Sequence, residues 1–526
     1  MSFISLTFLM FCAITFLLYF VVPIKVRWIV LLLASLVFYA FAGIEKLPFV
    51  VIAGMIAYLI TLRMDAIYQQ QEKEIAEKSL EGAEKKQYIE KCKKRSKRWL
   101  VLGITLLISM LIYVKAGTQF LNMLDSLLKL KGIDLVNIIV PLGISYYSFS
   151  LIGYMADVYW RKEKAEHNYF KLLLYMIYFP HILQGPIPRH KKLQHQLIEG
   201  HKFDYKKMCF GLQLAIWGYF KKMVIADRLV LITTKVFDNY KEYTGFVLLF
   251  ALVCASIQLY CDFSGCMDIV TGISEVFSIE LDKNFERPFF SKTSAEFWRR
   301  WHITLGTWFK DYVYMPIVIS PRIAKISQMA KKRFGVRFAK SIMTIIPLMV
   351  VWLLTGLWHG TGANYVVWGV YWGCILIITN IFSTEIRSLT TWMKIDLTKE
   401  GYQIFQMVRT FIVFTIGRLI TVPGSLEASI GVLKGIFAEF NVWIFFDETL
   451  YTLGLDRKDF GICVLAIILL WKVSCLQEKG IKLREKIASY HIILRWLIYY
   501  TAIFSVLIFG MYGSGVATST FTYANY

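Results

Sequence analysis

The chain has 526 residues, 57% of them hydrophobic and 18% charged, and its 59 basic and 37 acidic side chains give a net charge of +22. Soluble domains are about 45–50% apolar and about 25% charged. This composition, with a mean hydropathy of +0.52 and apolar residues gathered in long blocks, therefore excludes an ordinary soluble protein. The excess of Lys and Arg then marks the cytosolic loops of a multi-span membrane protein; membrane lipid is an expected partner and nucleic acid is not.

In chain order, apolar blocks at residues 3–22, 28–41 and 48–62 are separated by short connections and predict tight helical hairpins. The first reads as a retained span, because no basic region precedes it and no small-residue cleavage site follows. Residues 63–98 form a charged stretch, ending in Lys91-Cys92-Lys93-Lys94-Arg95-Ser96-Lys97-Arg98, and read as a cytoplasmic solvated loop or helix. Ten further apolar blocks follow between Leu100 and Met511. At about 20 residues per span the whole chain, 1–526, is expected to form a single membrane-embedded domain, all-α, with roughly 10–13 crossings plus re-entrant segments.

Two segments do not read as simple spans. Residues 170–188 carry Pro180, His181, Gln184, Gly185, Pro186 and Pro188, and residues 298–316 mix Arg299, Arg300, His302, Lys310 and Asp311 with six aromatic side chains. In hydrocarbon, broken backbone and charge of this density survive only when buried in protein or lining a wet cavity. Both are expected to be re-entrant or cavity-lining. Residues 322–340, with Lys325, Lys331, Lys332, Arg333 and Arg337, read as a second cytoplasmic basic loop. The nine cysteines are scattered without a Cys-x-x-Cys pair, so neither a disulfide framework nor a metal site is expected.

Two histidines are candidates for chemistry, His302 and His359, because an ionisable group at membrane depth is costly to keep there. His359 ends an apolar run that leaves the basic segment at Lys340, and 19 residues of helix span about 28 Å, close to the hydrocarbon thickness. A neutral imidazole there can take a proton from a hydroxyl that attacks an acyl carbonyl. No Gly-x-Ser-x-Gly motif competes with that role. The structural alternative is a histidine satisfied by a neighbouring helix, with Gly356, Gly360, Gly369 and Gly373 as helix-packing positions. For His302 the alternative is pairing with Glu296 or Asp311.

A set of motifs makes the chain less anonymous: Tyr260-Cys261-Asp262-Phe263-Ser264-Gly265; Asn284-Phe285-Glu286-Arg287-Pro288-Phe289; Glu296-Phe297-Trp298-Arg299-Arg300-Trp301-His302; Trp308-Phe309-Lys310-Asp311-Tyr312-Val313-Tyr314; and Trp358-His359-Gly360 followed by Asn364 and Val367-Trp368-Gly369. In order and spacing they resemble the membrane-bound O-acyltransferase family, and within it the alginate O-acetyltransferase branch. The resemblance extends from about Pro141 to Leu455. It departs from the family at Met315-Pro316-Ile317-Val318-Ile319-Ser320 and at Phe521-Thr522-Tyr523-Ala524-Asn525-Tyr526, parts that contact acceptors or partners in such proteins.

The resemblance implies a helical bundle around a tunnel or funnel, with His359 as the essential histidine and His302 as the second recurring one. It implies substrate-binding roles for Arg299, Arg300, Asp311, Asp262 and Asn364, each of which has an alternative as an ion-paired or hydrogen-bonded structural group. The implied reaction carries an acyl group, most simply acetyl from acetyl-coenzyme A, across a bacterial cell membrane toward a surface or exported polysaccharide. No bound cofactor is expected, and the implied partner is an extracytoplasmic acetyltransferase or esterase-like protein. D-alanyl transfer to teichoic acid, or non-catalytic transport of donor or glycan, are the rival readings.

Overall fold

The structure, a computed structural model, describes residues 1–128 and 140–512; the terminal motif 521–526 lies outside them. Among the described residues the chain is helical and forms no strand, apart from an isolated antiparallel bridge between Phe285 and Trp301. It divides into two compact units, residues 1–211 with 273–282, and residues 212–272 with 283–526.

The first unit contains α1 (Leu6–Val21), α2 (Arg27–Ala40), α3 (Leu47–Glu77), α4 (Gly82–Leu128), α5 (Ile144–Tyr159), α6 (Tyr169–Ile177) and α7 (His190–Glu199). The charged stretch 63–98 proves to be helix at both ends: α3 runs through to Glu77, α4 begins at Gly82, and a short turn joins them. Aromatic rings build the core: Phe3, Phe8 and Phe38 are mutually within ring-contact distance, and Phe179 meets Phe8 and Phe38. Segment 170–188 is irregular beyond α6, as expected, and is packed into protein. His181 is buried with Nε2 3.1 Å from the Tyr175 carbonyl, and its own carbonyl accepts from the Gly185 N–H at 2.8 Å. A broken backbone at this depth requires such internal partners.

The second unit holds a helix that runs as α8 (Tyr205–Tyr219) from Leu212, a π-helical segment (Phe220–Ala226) and α9 (Asp227–Asp238), then most of α10 (Gly245–Val276). Two short helices, α11 (Ser294–Arg300) and α12 (Ile303–Phe309), lead through a second π-helical segment (Lys310–Tyr314) into α13 (Met315–Val318). The long α14 (Pro321–His359) and α15 (Ala363–Ile381) form a hairpin, followed by α16 (Ser383–Trp392), α17 (Glu400–Leu419), α18 (Leu426–Ile436), α19 (Thr449–Thr452), α20 (Arg457–Glu478), α21 (Leu483–Ala488) and α22 (Ile492–Phe509).

Residues 322–340 are thus helical and not a loop. Their lysines and arginines project from α14, which is broken at Gly335 by φ +86° and ψ 174°, a backbone state open to glycine at little steric cost. Arg337, beyond the break, pairs with Glu385 of α16. The hairpin closes on glycines, as their spacing suggested. A Cβ at Gly356 would sit 2.4 Å from the Tyr365 carbonyl oxygen, and one at Gly369 would sit 2.5 Å from that of Trp352. Backbone therefore meets backbone across α14 and α15.

Among the described residues, seven helices are long and apolar enough to cross a membrane: Ile44–Glu77, Gly82–Lys115, Gly245–Val276, Pro321–His359, Ala363–Ile381, Arg457–Glu478 and Ile492–Phe509, with Leu6–Val21 as a shorter apolar helix. The sequence suggested more crossings because several apolar blocks form shorter elements. At 1.5 Å per residue, the 14 residues of α2 and 16 of α5 reach about 21 and 24 Å, short of a hydrocarbon core of about 30 Å.

Candidate active site

Within the second unit, α11, α12, α14, α15 and α17 enclose a cavity of about 760 Å³. His302, His359, Arg299 and Lys310 line it, so of the residues singled out from sequence four converge here. The wall is aromatic: Trp298 lies edge-on to Trp352 at 4.7 Å and to Trp372 at 4.9 Å, and Trp368 contacts both Trp298 and Trp352. Along α14 the lining runs from Leu348 to His359, about 16 Å of helix. Segment 298–316 supplies much of the wall, as its mixture of charge and aromatics suggested; the π-helical turn places both Lys310 and Tyr314 on it.

His359 is the last residue of α14 and is 8% exposed. Its ring packs at right angles on Trp368 (5.1 Å, 82°) and beside Trp358 (4.7 Å). Trp358 also reaches His302, with ring centroids 6.0 Å apart, so the two histidines flank one indole. His302 is 3% exposed and adopts φ +45°, ψ +51°, a left-handed conformation that costs a non-glycine residue on the order of 1–3 kcal/mol.

That turn is built by a short antiparallel pairing. The Glu286 N–H donates to the Arg300 carbonyl at 2.9 Å, and the Ile303 N–H donates to the Asn284 carbonyl at 3.0 Å. Phe263 of α10 meets the His302 ring edge-on at 4.8 Å. His302 lies outside the candidate spans, and burial pushes its imidazolium pKa down to about 3, so the ring is neutral near pH 7.

The basic residues separate into two groups. Arg300 pairs with Glu296 (2.8 Å) and Glu478 (2.9 Å), and Arg287 with Glu478 (2.6 Å), so both are held by carboxylates and neither lines the cavity. Arg299 and Lys310 are exposed at its border and form no ion pair among the described residues. No Asp or Glu is part of the lining, which leaves the border electropositive.

The remaining candidates stand apart from the cavity lining. Asp262 is buried on α10 and accepts from Lys222 Nζ at 2.7 Å; Asp227 accepts from the same ammonium at 2.8 Å. Asn364 is buried at the start of α15 with Nδ2 3.4 Å from the Gly424 carbonyl, and Asp311 sits in the π-helical turn. Sequence reasoning passed over Lys222 and Asp227, although Lys221-Lys222 inside the apolar block 211–225 was a legible signal. It also passed over Arg418, which lines the cavity, Asn284, whose Oδ1 lies 3.1 Å from His302 Nδ1, and the tryptophan wall.

The sequence model of the MBOAT, membrane-bound O-acyltransferase family, matches residues 160–330, a stretch that contains His302 and ends before His359. The chain is 29% identical over 457 residues to the probable alginate O-acetylase AlgI of Pseudomonas aeruginosa, covering 86% of this chain and 77% of the relative. It is 27% identical over 479 residues to the peptidoglycan O-acetyltransferase of Helicobacter pylori, covering 84% and 82%. Similarity to the teichoic acid D-alanyltransferase of Bacillus subtilis is 29% over 253 residues, 47% of this chain and 60% of that protein.

Proposed function

Because the chain belongs to the membrane-bound O-acyltransferase family and is a multi-pass bacterial membrane O-acyltransferase, we propose that it transfers acetyl from acetyl-coenzyme A toward hydroxyl groups of a surface or exported polysaccharide, with His359 as general base. The observation that carries this reading is the carboxylate-free cavity that holds two buried histidines and is bordered by Arg299 and Lys310. A polyanionic donor with a flat heterocycle suits such a border, since guanidinium and ammonium groups recognise phosphate and tryptophan faces receive planar rings.

The chemistry is a single displacement at the thioester. The His359 imidazole removes the proton of an acceptor hydroxyl, whose oxygen bonds to the acetyl carbonyl carbon. The C–S bond then breaks, and the imidazolium returns its proton to the coenzyme A thiolate. By the positive-inside rule the basic first half of α14 lies in the cytosol, so the lining from Leu348 to His359 leads away from the cytosolic face. This direction fits a donor entering from the cytosol and an acceptor reached near His359. The much longer matches to acetyltransferases than to D-alanyltransferases favour acetyl as the group moved. An extracytoplasmic acetyltransferase or esterase-like protein would relay acetyl to the polymer where the glycan does not reach His359 itself.

Proteoliposomes supplied with acetyl-labelled coenzyme A and a soluble polysaccharide are expected to yield alkali-labile label on the polymer or on an added carrier protein. Hydrolysis without any transfer sinks the proposal. Removing both border charges, with Arg299→Gln and Lys310→Gln together, is expected to raise KM for acetyl-coenzyme A about tenfold or more, the equivalent of about 1.4 kcal/mol, while kcat changes less. An unaltered KM removes these residues from donor binding.

A further inference from the structure

The side chain of Asn284 sits at the centre of the left-handed turn that carries His302. Its Oδ1 lies 3.1 Å from the Thr304 backbone N, 2.9 Å from Thr304 Oγ1 and 3.1 Å from His302 Nδ1. A backbone N–H can only donate, so the atom facing it must be the amide oxygen; turned the other way, the amide NH2 would confront the Thr304 N–H. The opposite end of the amide agrees with this, because Nδ2 points at Met267 Sδ, a weak acceptor 3.2 Å away. With the oxygen so fixed, His302 Nδ1 must be the donor, and the neutral ring carries its lone pair on Nε2.

We propose that Asn284 is the positioning residue of His302, holding the ring as the Nδ1–H tautomer so that Nε2 is the proton acceptor of this cavity-wall residue. The inference rests on the reading of this cavity as the acyl-transfer site, and it gives His302 a definite role there: an acceptor for the hydroxyl proton, or for a hydrogen bond that orients the hydroxyl toward His359. An amide suits the task. It fixes the tautomer without adding a charge, whereas a carboxylate at the same distance would favour the imidazolium, which accepts nothing. The pairing of 284–286 with 300–303 brings amide and imidazole together from positions 18 residues apart. The strained backbone at His302 is the conformation that turns Nδ1 back onto Asn284 while the residue remains in the cavity wall.

Two measurements test this, one independent of catalysis. Protein labelled with 15N-histidine, examined in lipid by solid-state NMR, is expected to show an Nδ1-protonated neutral tautomer for the signal that disappears in His302→Gln. That signal should move toward the Nε2-protonated form in Asn284→Ala. An Nε2–H tautomer in the wild-type protein overturns the proposal whether or not the protein transfers acetyl.

In the transfer assay Asn284→Ala is expected to lower kcat tenfold or more with little change in KM for acetyl-coenzyme A. In a His302→Gln background the same substitution should cost less than twofold, because its effect passes through that ring. An equal loss in both backgrounds marks a purely structural residue and overturns the inference. Where Asn284→Ala does not purify as a folded species, Asn284→Asp decides: it keeps the acceptor oxygen, raises the pKa of His302, and should move the acid limb of the pH–rate profile upward by at least one unit. An unmoved limb is a failure. Wild-type protein that transfers nothing, but shows the expected tautomer, refutes the proposed reaction and leaves the positioning role standing.

Discussion

Alanine at position 359 is expected to lower acetyl transfer by about 10²–10⁴-fold, the usual worth of a positioned general base, while the protein still inserts and purifies as a folded species. The expectation follows from where the side chain sits. His359 ends α14 on the cavity wall, and its ring packs against Trp358 and Trp368. The hairpin of α14 and α15 is closed by Gly356 and Gly369, which the substitution does not touch. The loss should therefore fall on kcat, with KM for acetyl-coenzyme A nearly unchanged, because the border residues Arg299 and Lys310 remain. Wild-type turnover in the alanine variant would remove His359 from the chemistry and leave His302 as the base.

The second large effect concerns stability. Lys222 is completely buried and donates to both Asp227 and Asp262, themselves 1% exposed. Lys222→Met leaves two carboxylates facing each other without a cation, and breaking a buried pair in this way costs about 3–5 kcal/mol. The measurement is thermal unfolding of the detergent-solubilised protein, read as loss of the monodisperse gel-filtration peak. Lys222→Met is expected to be strongly destabilised. The triple variant Lys222→Met, Asp227→Asn, Asp262→Asn should recover most of the loss, since neutral groups of similar shape remove the desolvated charge altogether. Equal melting of Lys222→Met and wild type would mean that the ammonium is not what holds α10 to the π-helical segment.

Much of this was legible in the sequence, for physical reasons that differ by element. Apolar blocks and charge excess announced a helical membrane protein, because a bilayer admits few other solutions for a single chain. The crowding of arginine, lysine and tryptophan over 298–316 announced a cavity wall by the same logic, and the wall contains Arg299, His302 and Lys310. What was not legible depends on partners distant along the chain. Arg299 and Arg300 are neighbours of identical type, yet Arg300 is taken by Glu478, 178 residues away, and Arg299 is not. Asp262 looked like a possible substrate ligand because its cation, Lys222, belongs to a helix read as merely apolar. The basic segment 322–340 looked like a loop because charge density resembles a loop's whether or not the backbone is helical; its break is confined to Gly335.

The buried ammonium also constrains how the protein is made. Asp227 lies on the same helix as Lys222 and is synthesised with it, but Asp262 emerges 40 residues later, which at about 5–20 residues per second is roughly two to eight seconds. Until then Lys222 has one of its two carboxylate partners, the neighbouring buried Lys221 lacks Asp268 of α10, and lipid offers no substitute. The insertion machinery must therefore hold this segment back, or let it rest at the interface, until α10 arrives to enter with it. An insertion placed in the loop near Gly245 that delays α10 is therefore expected to appear first as degraded nascent chain and only secondarily as altered chemistry.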